Sequence, residues 1–298
     1  MCGIVGLFLK DKELEPNLGE MLTQMLTTMS DRGPDSAGIA IYGRGRRGVG
    51  KLTVQSDQPD SDFDNLALRL GQAVDTEVEI RRKDTHAVLE LEACKISAAR
   101  SALHELRPGI RVMSDGEVIE IYKEVGLPKD VADRFALSRM EGTHGIGHTR
   151  MATESAVTTE GAHPYSTGAD QCLVHNGSLS NHNDLRRKLS RKGVRIESMN
   201  DTEVGAAYLT WKMQNGASLR EALDGSREDL AGFFTFVVGT RDGFGVLRYP
   251  IACKPAVMAE TSRYVAFGSE YRALVSLPGI DDASVWEPEP ATVYFWSH

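Results

Sequence analysis

The sequence predicts a mixed α+β fold, and three observations carry that reading. The chain begins with an apolar run, a one-faced apolar helix and a second apolar run, the pattern of strand, helix and strand. The region of about 44–143 then changes texture and mixes short strands with helices. From Gly145 onward strand-like runs return, joined by short loops.

Ile4-Val5-Gly6-Leu7-Phe8-Leu9 is a short continuous apolar run that suits a buried strand. Leu18, Met21, Leu22, Met25, Leu26 and Met29 recur at three- and four-residue spacing, so they share one helix face. The methionines on that face read as core packing. Gly33-Pro34 stops the helix, and Ala37 to Tyr42 gives a second strand. This order returns the polar segment 31–36 toward the amino terminus.

Within 44–143, an acidic loop at 56–64 precedes a short helix from Asn65. Alternation around Val78-Ile80 and Ala87-Leu89-Leu91 predicts strands, and a helix covers 97–106. Asp115-Gly116 reads as the turn of a hairpin between 110–112 and 118–121, before a helix over 128–140. The whole reads as a small α+β insertion in one domain spanning 1–298, with a scaffolding or docking role. Beyond it, strands are expected at 172–174, 233–238, 246–247, 264–267 and 291–296, and helices at 183–190 and 202–213. No internal repeat interrupts this order.

The 34 basic and 42 acidic residues leave a net charge of −8, which argues against nucleic acid or a membrane surface as principal partner. Arg44-Gly45-Arg46-Arg47 is one short cluster, read as a solvated turn. Cys2, Cys94, Cys172 and Cys253 are scattered without a C-x-x-C pair, so neither a disulfide framework nor a zinc knuckle is predicted. No basic leader or apolar stretch of roughly 20 residues is present, and a reducing cytoplasm is the expected compartment. His144 and His148 lie four apart without a carboxylate at metal-ligand spacing, so no metal site is expected. With no phosphate-cradling glycine loop, dinucleotide fingerprint or cluster-binding cysteine run, no cofactor is expected in this chain.

Chemistry enters at Met1-Cys2-Gly3-Ile4-Val5-Gly6. Removal of Met1, which the small side chain at position 2 favours, would leave Cys2 with a thiol and a free α-amine. An α-amine has a pKa of about 7.7–8.0, so at neutral pH part of it can take the thiol proton. On this hexapeptide alone, Cys2 is equally a small residue leading into a buried strand.

Three polar clusters supply what amide cleavage needs. In His148-Thr149-Arg150-Met151-Ala152-Thr153, the arginine fork can hold a carboxylate and a threonine hydroxyl can add a donor. In His175-Asn176-Gly177, a side-chain amide and a glycine N–H can converge on an oxyanion. In Asn200-Asp201-Thr202-Glu203, Asp201 can accept from a ligand ammonium. Singly, each has a plainer reading: a surface ion pair, a turn at a strand end, a helix cap.

Together and in this order, with Arg32-Gly33-Pro34-Asp35-Ser36-Ala37-Gly38 and Ala162-His163-Pro164, they resemble the class II glutamine amidotransferases, a branch of the N-terminal-nucleophile hydrolases. The matching stretches cover the first two thirds of the chain. The resemblance implies a four-layer αββα sandwich with mature Cys2 at the head of the first strand. It also implies that Cys2 attacks the glutamine amide, and that Asn176 and the Gly177 N–H form the oxyanion hole. Arg150 and Thr153 would then hold the α-carboxylate and Asp201 the α-ammonium, with Arg32 and His175 in support. Met151 and Glu154-Ser155 depart from the common aromatic residue and histidine-glycine pair of relatives, at positions that bear on the pocket ceiling and closing loop.

The chain has no room for a fused synthase domain, so the ammonia acceptor is expected on another chain. Its length, insertion and tail look most like a stand-alone subunit of glutamate-synthase-like complexes such as N-methylglutamate synthase, in which flavin and iron–sulfur clusters belong to partner subunits. Two rivals stand beside this reading: a hydrolase for a different amide, and a catalytically silent assembly module of the same fold. Gripping both charged ends of an amino acid would be needless for the first, and retention of Met1 would favour the second.

Overall fold

The computed structural model describes residues 2–152 and 156–298. Its first strand, β1 (Gly3–Leu9), is buried along its whole length, as a central strand requires. Helix α1 (Leu18–Thr28) turns Leu18, Leu22, Met25 and Leu26 inward, and β2 (Ser36–Tyr42) follows, fully buried.

The chain then builds β3 (Val49–Gln55), α2 (Pro59–Asp62), α3 (Leu66–Val74), β4 (Glu79–Lys83), β5 (His86–Glu92), α4 (Ile96–Leu106) and β6 (Arg111–Gly116). These strands form a sheet in the order β4-β5-β3-β6, whose core joins Leu52, Val54 and Leu89 to Leu66, Leu70 and Leu103 of its helices. Next, β7 (Ile119–Val125), α5 (Pro128–Arg134) and β8 (His144–Arg150) rejoin the starting sheet, with β7 on β2 and β8 between β1 and β2. The expected insertion of about 44–143 is therefore wider than the separate sheet, because β7 and α5 pack on the main body. The helix expected over 128–140 ends at Arg134, and a single 3-10 turn occupies Leu137–Arg139.

The second half contributes β9 (Tyr165–Gly168), β10 (Gln171–Leu179), α6 (His182–Ser190), α7 (Asp201–Gln214), α8 (Leu219–Asp229), β11 (Gly232–Thr240) and β12 (Gly243–Arg248). Then β13 (Val257–Glu260), β14 (Tyr264–Gly268) and β15 (Ser284–Trp286) extend the first sheet, and β16 (Thr292–Ser297) joins the second. Among the described residues, the orders are β15-β13-β14-β1-β8-β2-β7 and β16-β12-β11-β10-β9.

The two sheets face each other across Ile4, Phe8, Tyr42 and Ile146 on one side and Val174, Val237, Phe244 and Val246 on the other. Helices α1 and α5 cover the first sheet through Leu22, Met25, Val131 and Phe135. Helices α6, α7 and α8 cover the second through Leu185, Leu209 and Leu223. This is the four-layer αββα sandwich. Full burial of one such side chain contributes about 1.5–3 kcal/mol, more than any exposed ion pair, so packing between the sheets sets their alignment.

Asp115-Gly116 does not turn a hairpin. β6 pairs with β3 and β7 with β2, so the two lie in different sheets. The local turn signal is overridden by Asp170, whose carboxylate accepts the backbone N–H groups of Glu117, Val118 and Ile119 at 2.8–3.1 Å while its own N–H donates to Asp115 O at 2.8 Å. Gly116 sits at φ +155°, and a Cβ there would meet the Asp170 carboxylate at 2.1 Å.

On β7, Lys123 is buried and its Nζ donates to the carbonyls of Ala162 at 2.7 Å and of Glu160 and Pro164 at 3.3 Å. It thereby ties the edge of the first sheet to the loop carrying His163. Burial pushes its ammonium down to about 7, with Glu203 and Glu160 pulling the other way.

Two outcomes follow from these anchors. Asp170→Ala strands three backbone donors and should lower stability by about 3 kcal/mol in urea unfolding; an unchanged midpoint would remove Asp170 as the anchor. For Lys123, the folded pKa lies below the unfolded value of about 10.4, so between about pH 7 and 10 the unfolded chain binds more protons and stability rises with pH. The stability of wild type relative to Lys123→Met should climb by about 1 kcal/mol per pH unit across that window. A pH-independent difference would contradict it.

Candidate active site

Cys2 stands at the head of β1, partly buried, and its surroundings are built by four other segments. Its carbonyl oxygen accepts from Arg32 Nε at 3.0 Å and from Asn176 Nδ2 at 3.1 Å. The next two backbone donors are also held: Gly3 N–H by Thr149 Oγ1 at 3.2 Å, and Ile4 N–H by Ser269 Oγ at 2.9 Å. The Cys2 sulfur lies 3.9 Å from the carbonyl oxygen of Met151. Arg32 is further fixed by an ion pair with Glu270, which lowers the Glu270 carboxyl below its ordinary range.

Strand pairing brings Arg150 to the same end of the sheet. Gly3 pairs with Thr149, so Arg150 continues β8 beside Cys2, opposite Ser36 on its other flank. Arg150 is 7% exposed, with Nη1 3.4 Å from Ala156 O. Asp35, from the Arg32-Gly33-Pro34-Asp35 turn, grips the chain on both sides of Met151: its N–H donates to Arg150 O at 3.1 Å and its carboxylate accepts Ala152 N–H at 2.7 Å. Thr153, the expected second holder of a carboxylate, lies outside the described residues, as do Met1 and Glu154-Ser155.

Asn176 and Gly177 lie on β10, facing Thr235 and Phe234 of β11. Gly177 has φ +138°, and a Cβ would stand 1.9 Å from the carbonyl oxygen of Phe233, so glycine is required by both conformation and space. Asp201 opens α7 but does not cap it. The cap is Asn200, whose Oδ1 accepts Thr202 N–H at 2.9 Å. The Asp201 carboxylate instead accepts Leu179 N–H at 2.9 Å and keeps its second oxygen 3.8 Å from His175 Nδ1. Glu203 closes the preceding loop by accepting from Glu197 N, Ser198 N and Ser198 Oγ at 2.6–2.7 Å.

Below these residues lies a buried group that sequence reading did not assemble. His148, His163, His175 and Thr202 are each at most 6% exposed and touch one another. Burial drives all three imidazoles down, His148 to about 3, with the neighbouring histidines adding repulsion for His148 and His163. They therefore act as neutral hydrogen-bonding groups. His163 and Thr202 stand in the matching motifs, but residues so far apart in sequence give no local sign of contact. Among the described residues, no three His, Cys, Asp or Glu side chains form a set that could hold a metal ion. Likewise, no described helix is long and apolar enough to cross a membrane.

Comparison with known proteins agrees with this architecture. A family model described as a glutamine amidotransferase domain matches residues 148–276. Over 298 residues the chain is 64% identical to the glutamine amidotransferase-like protein GlxB of Rhizobium meliloti (strain 1021), covering 100% of this chain and 99% of that one. It is 31% identical over 183 residues to an amidophosphoribosyltransferase of Methanocaldococcus jannaschii, 60% of this chain and 38% of that enzyme. The solved glutamine phosphoribosylpyrophosphate amidotransferase of B. subtilis superposes with a TM-score of 0.62 at 18% identity, over 99% of this chain and 47% of that one, which shows a shared fold. The chain thus spans about half the length of that solved enzyme. With the sandwich, the full-length similarity and the matched domain in agreement, the chain belongs to the class II glutamine amidotransferases.

Proposed function

We propose that this chain hydrolyses the side-chain amide of glutamine through Cys2 and passes the ammonia to a partner synthase of the glutamate synthase or N-methylglutamate synthase type. The observation that carries it is the double hold on the Cys2 carbonyl by Arg32 and Asn176, which fixes Cys2 beside Arg150. Strand pairing of β1 begins only at Gly3, so side chains from elsewhere hold the Cys2 carbonyl.

In this reading, loss of Met1 exposes the α-amine, which takes the thiol proton. The thiolate attacks the amide carbon, and the carbonyl electrons move onto oxygen. Asn176 has two amide N–H groups. One is committed to Cys2 O, and the other, with the Gly177 N–H, serves the oxyanion. As the tetrahedral species collapses, the carbon–nitrogen bond breaks and the ammonium form of the terminal amine protonates the departing ammonia. Water then attacks the thioester, returning its proton to the amine–thiol pair and releasing glutamate. Arg150, Thr153 and Asp201 hold the two charged ends of the substrate so that only its amide meets the sulfur. Flavin and iron–sulfur clusters belong to the partner chains in this assignment.

Cys2→Ser should fold normally and lose at least about 100-fold in glutamine hydrolysis, read as ammonia release from protein whose Met1 is shown by mass spectrometry to be absent. Unchanged turnover would reject the nucleophile. Asp201→Asn should raise KM for glutamine by about 10-fold or more, at about 1.4 kcal/mol per decade, with a smaller change in kcat. Co-purification from the native host should recover the synthase chains; a partner without an ammonia-accepting site would reject that assignment.

A further inference from the structure

Beneath the site, four side chains and one carbonyl close a polar ring made of hydrogen bonds and one edge-to-face contact. His175 Nδ1 lies 2.8 Å from Thr202 Oγ1, and Thr202 Oγ1 lies 2.7 Å from His163 Nε2. His163 Nδ1 approaches the two ring nitrogens of His148, at 3.2 Å from Nδ1 and 3.0 Å from Nε2. His148 Nε2 completes the circuit at 3.3 Å from the carbonyl oxygen of His175. Its members come from β8, the loop before β9, β10 and the first turn of α7.

With neutral imidazoles, the geometry favours one order of protons. A carbonyl can only accept, so His148 Nε2 carries its hydrogen and His148 Nδ1 carries the lone pair. His163 Nδ1 stands over the face of the His148 ring, the two rings being T-shaped at 87°, so it directs its hydrogen at that π face, which leaves His163 Nε2 as an acceptor. The Thr202 hydroxyl donates to that nitrogen and accepts from His175 Nδ1–H. What remains is a lone pair on His175 Nε2, a ring nitrogen without a hydrogen-bond partner among the described residues. Reversing the order would aim the His163 Nδ1 lone pair at the electron-rich face of the His148 ring, a repulsive contact.

We infer that Thr202 is a positioning residue, whose hydroxyl closes this ring and so holds β8, β10 and the start of α7 in mutual register. Three of the four side chains neighbour a residue of the proposed site: His148 precedes Arg150 by two, His175 precedes Asn176, and Thr202 follows Asp201. The ring thus couples the two substrate grips to the oxyanion donor through side chains that never touch the substrate. This inference rests on the roles proposed above for Arg150, Asn176 and Asp201. The ring geometry itself does not.

Valine matches threonine in shape and lacks the hydroxyl, so Thr202→Val leaves His175 Nδ1–H and His163 Nε2 unpaired. It should cut kcat/KM for glutamine by at least about tenfold, while Thr202→Ser keeps it within about threefold of wild type. Equal activity of the valine variant would overturn the positioning role. Nitrogen-15 NMR of histidine-labelled wild type reads the ring without any assay of activity. His175 and His163 should be Nδ1–H tautomers, His148 an Nε2–H tautomer, and Thr202→Ser should preserve the pattern. Any other set of tautomers would overturn the ring, even if Thr202→Val failed to fold. Failure of wild type to hydrolyse glutamine, with these tautomers observed, would reject the proposed function and leave the ring standing.

Discussion

Everything at this end of the sandwich depends on holding Cys2 still. Cys2 lies just outside β1, whose strand pairing begins at Gly3. The gap is filled by side chains from elsewhere: Arg32 and Asn176 on the Cys2 carbonyl, Thr149 on Gly3 N–H and Ser269 on Ile4 N–H. These four residues come from four segments spread from position 32 to 269, so Cys2 is held in place only when both sheets have formed and packed. Folding and assembly of the site are therefore one event.

The sandwich also determines what kinds of group can sit there. The strand ends of β1, β8 and β10 provide backbone and short polar side chains at the surface of the two-sheet core, while Arg150 and Asp201 approach from β8 and α7. Deeper in, the histidines are too buried to carry charge and serve as ordered dipoles. A cationic imidazole beneath Arg150 would repel its guanidinium. Neutral rings avoid that cost while still linking the strands.

Much of this was legible in the sequence because strands and the α1 face are written locally. The runs leading to β1, β2, β11 and β14 are continuous and apolar, and the α1 spacing admits one buried face. The site clusters were legible as residue types in order, and strand register brings Cys2, Arg150 and Asn176 to one end. Other features depend on distant partners. Asp115-Gly116 has the local chemistry of a hairpin turn, yet Asp170 captures the following backbone and sends β7 into another sheet. The mixed run that forms β3 shows no clean alternation, although its position between β5 and β6 buries Leu52, Thr53 and Val54. Helix α8 did carry a readable sign, since Ser218 and Glu221 form a capping box. The histidine ring had no local sign at all.

The most direct test of the account is to trap the covalent intermediate. Protein lacking Met1 should be mixed with glutamine, quenched in acid within the first turnovers, digested and analysed by mass spectrometry. The account predicts a glutamyl group in thioester linkage on the peptide beginning with Cys2, discharged by hydroxylamine and missing when Met1 is retained. Rapid glutamine hydrolysis with that peptide unmodified throughout, or with the glutamyl group on another residue, would contradict it.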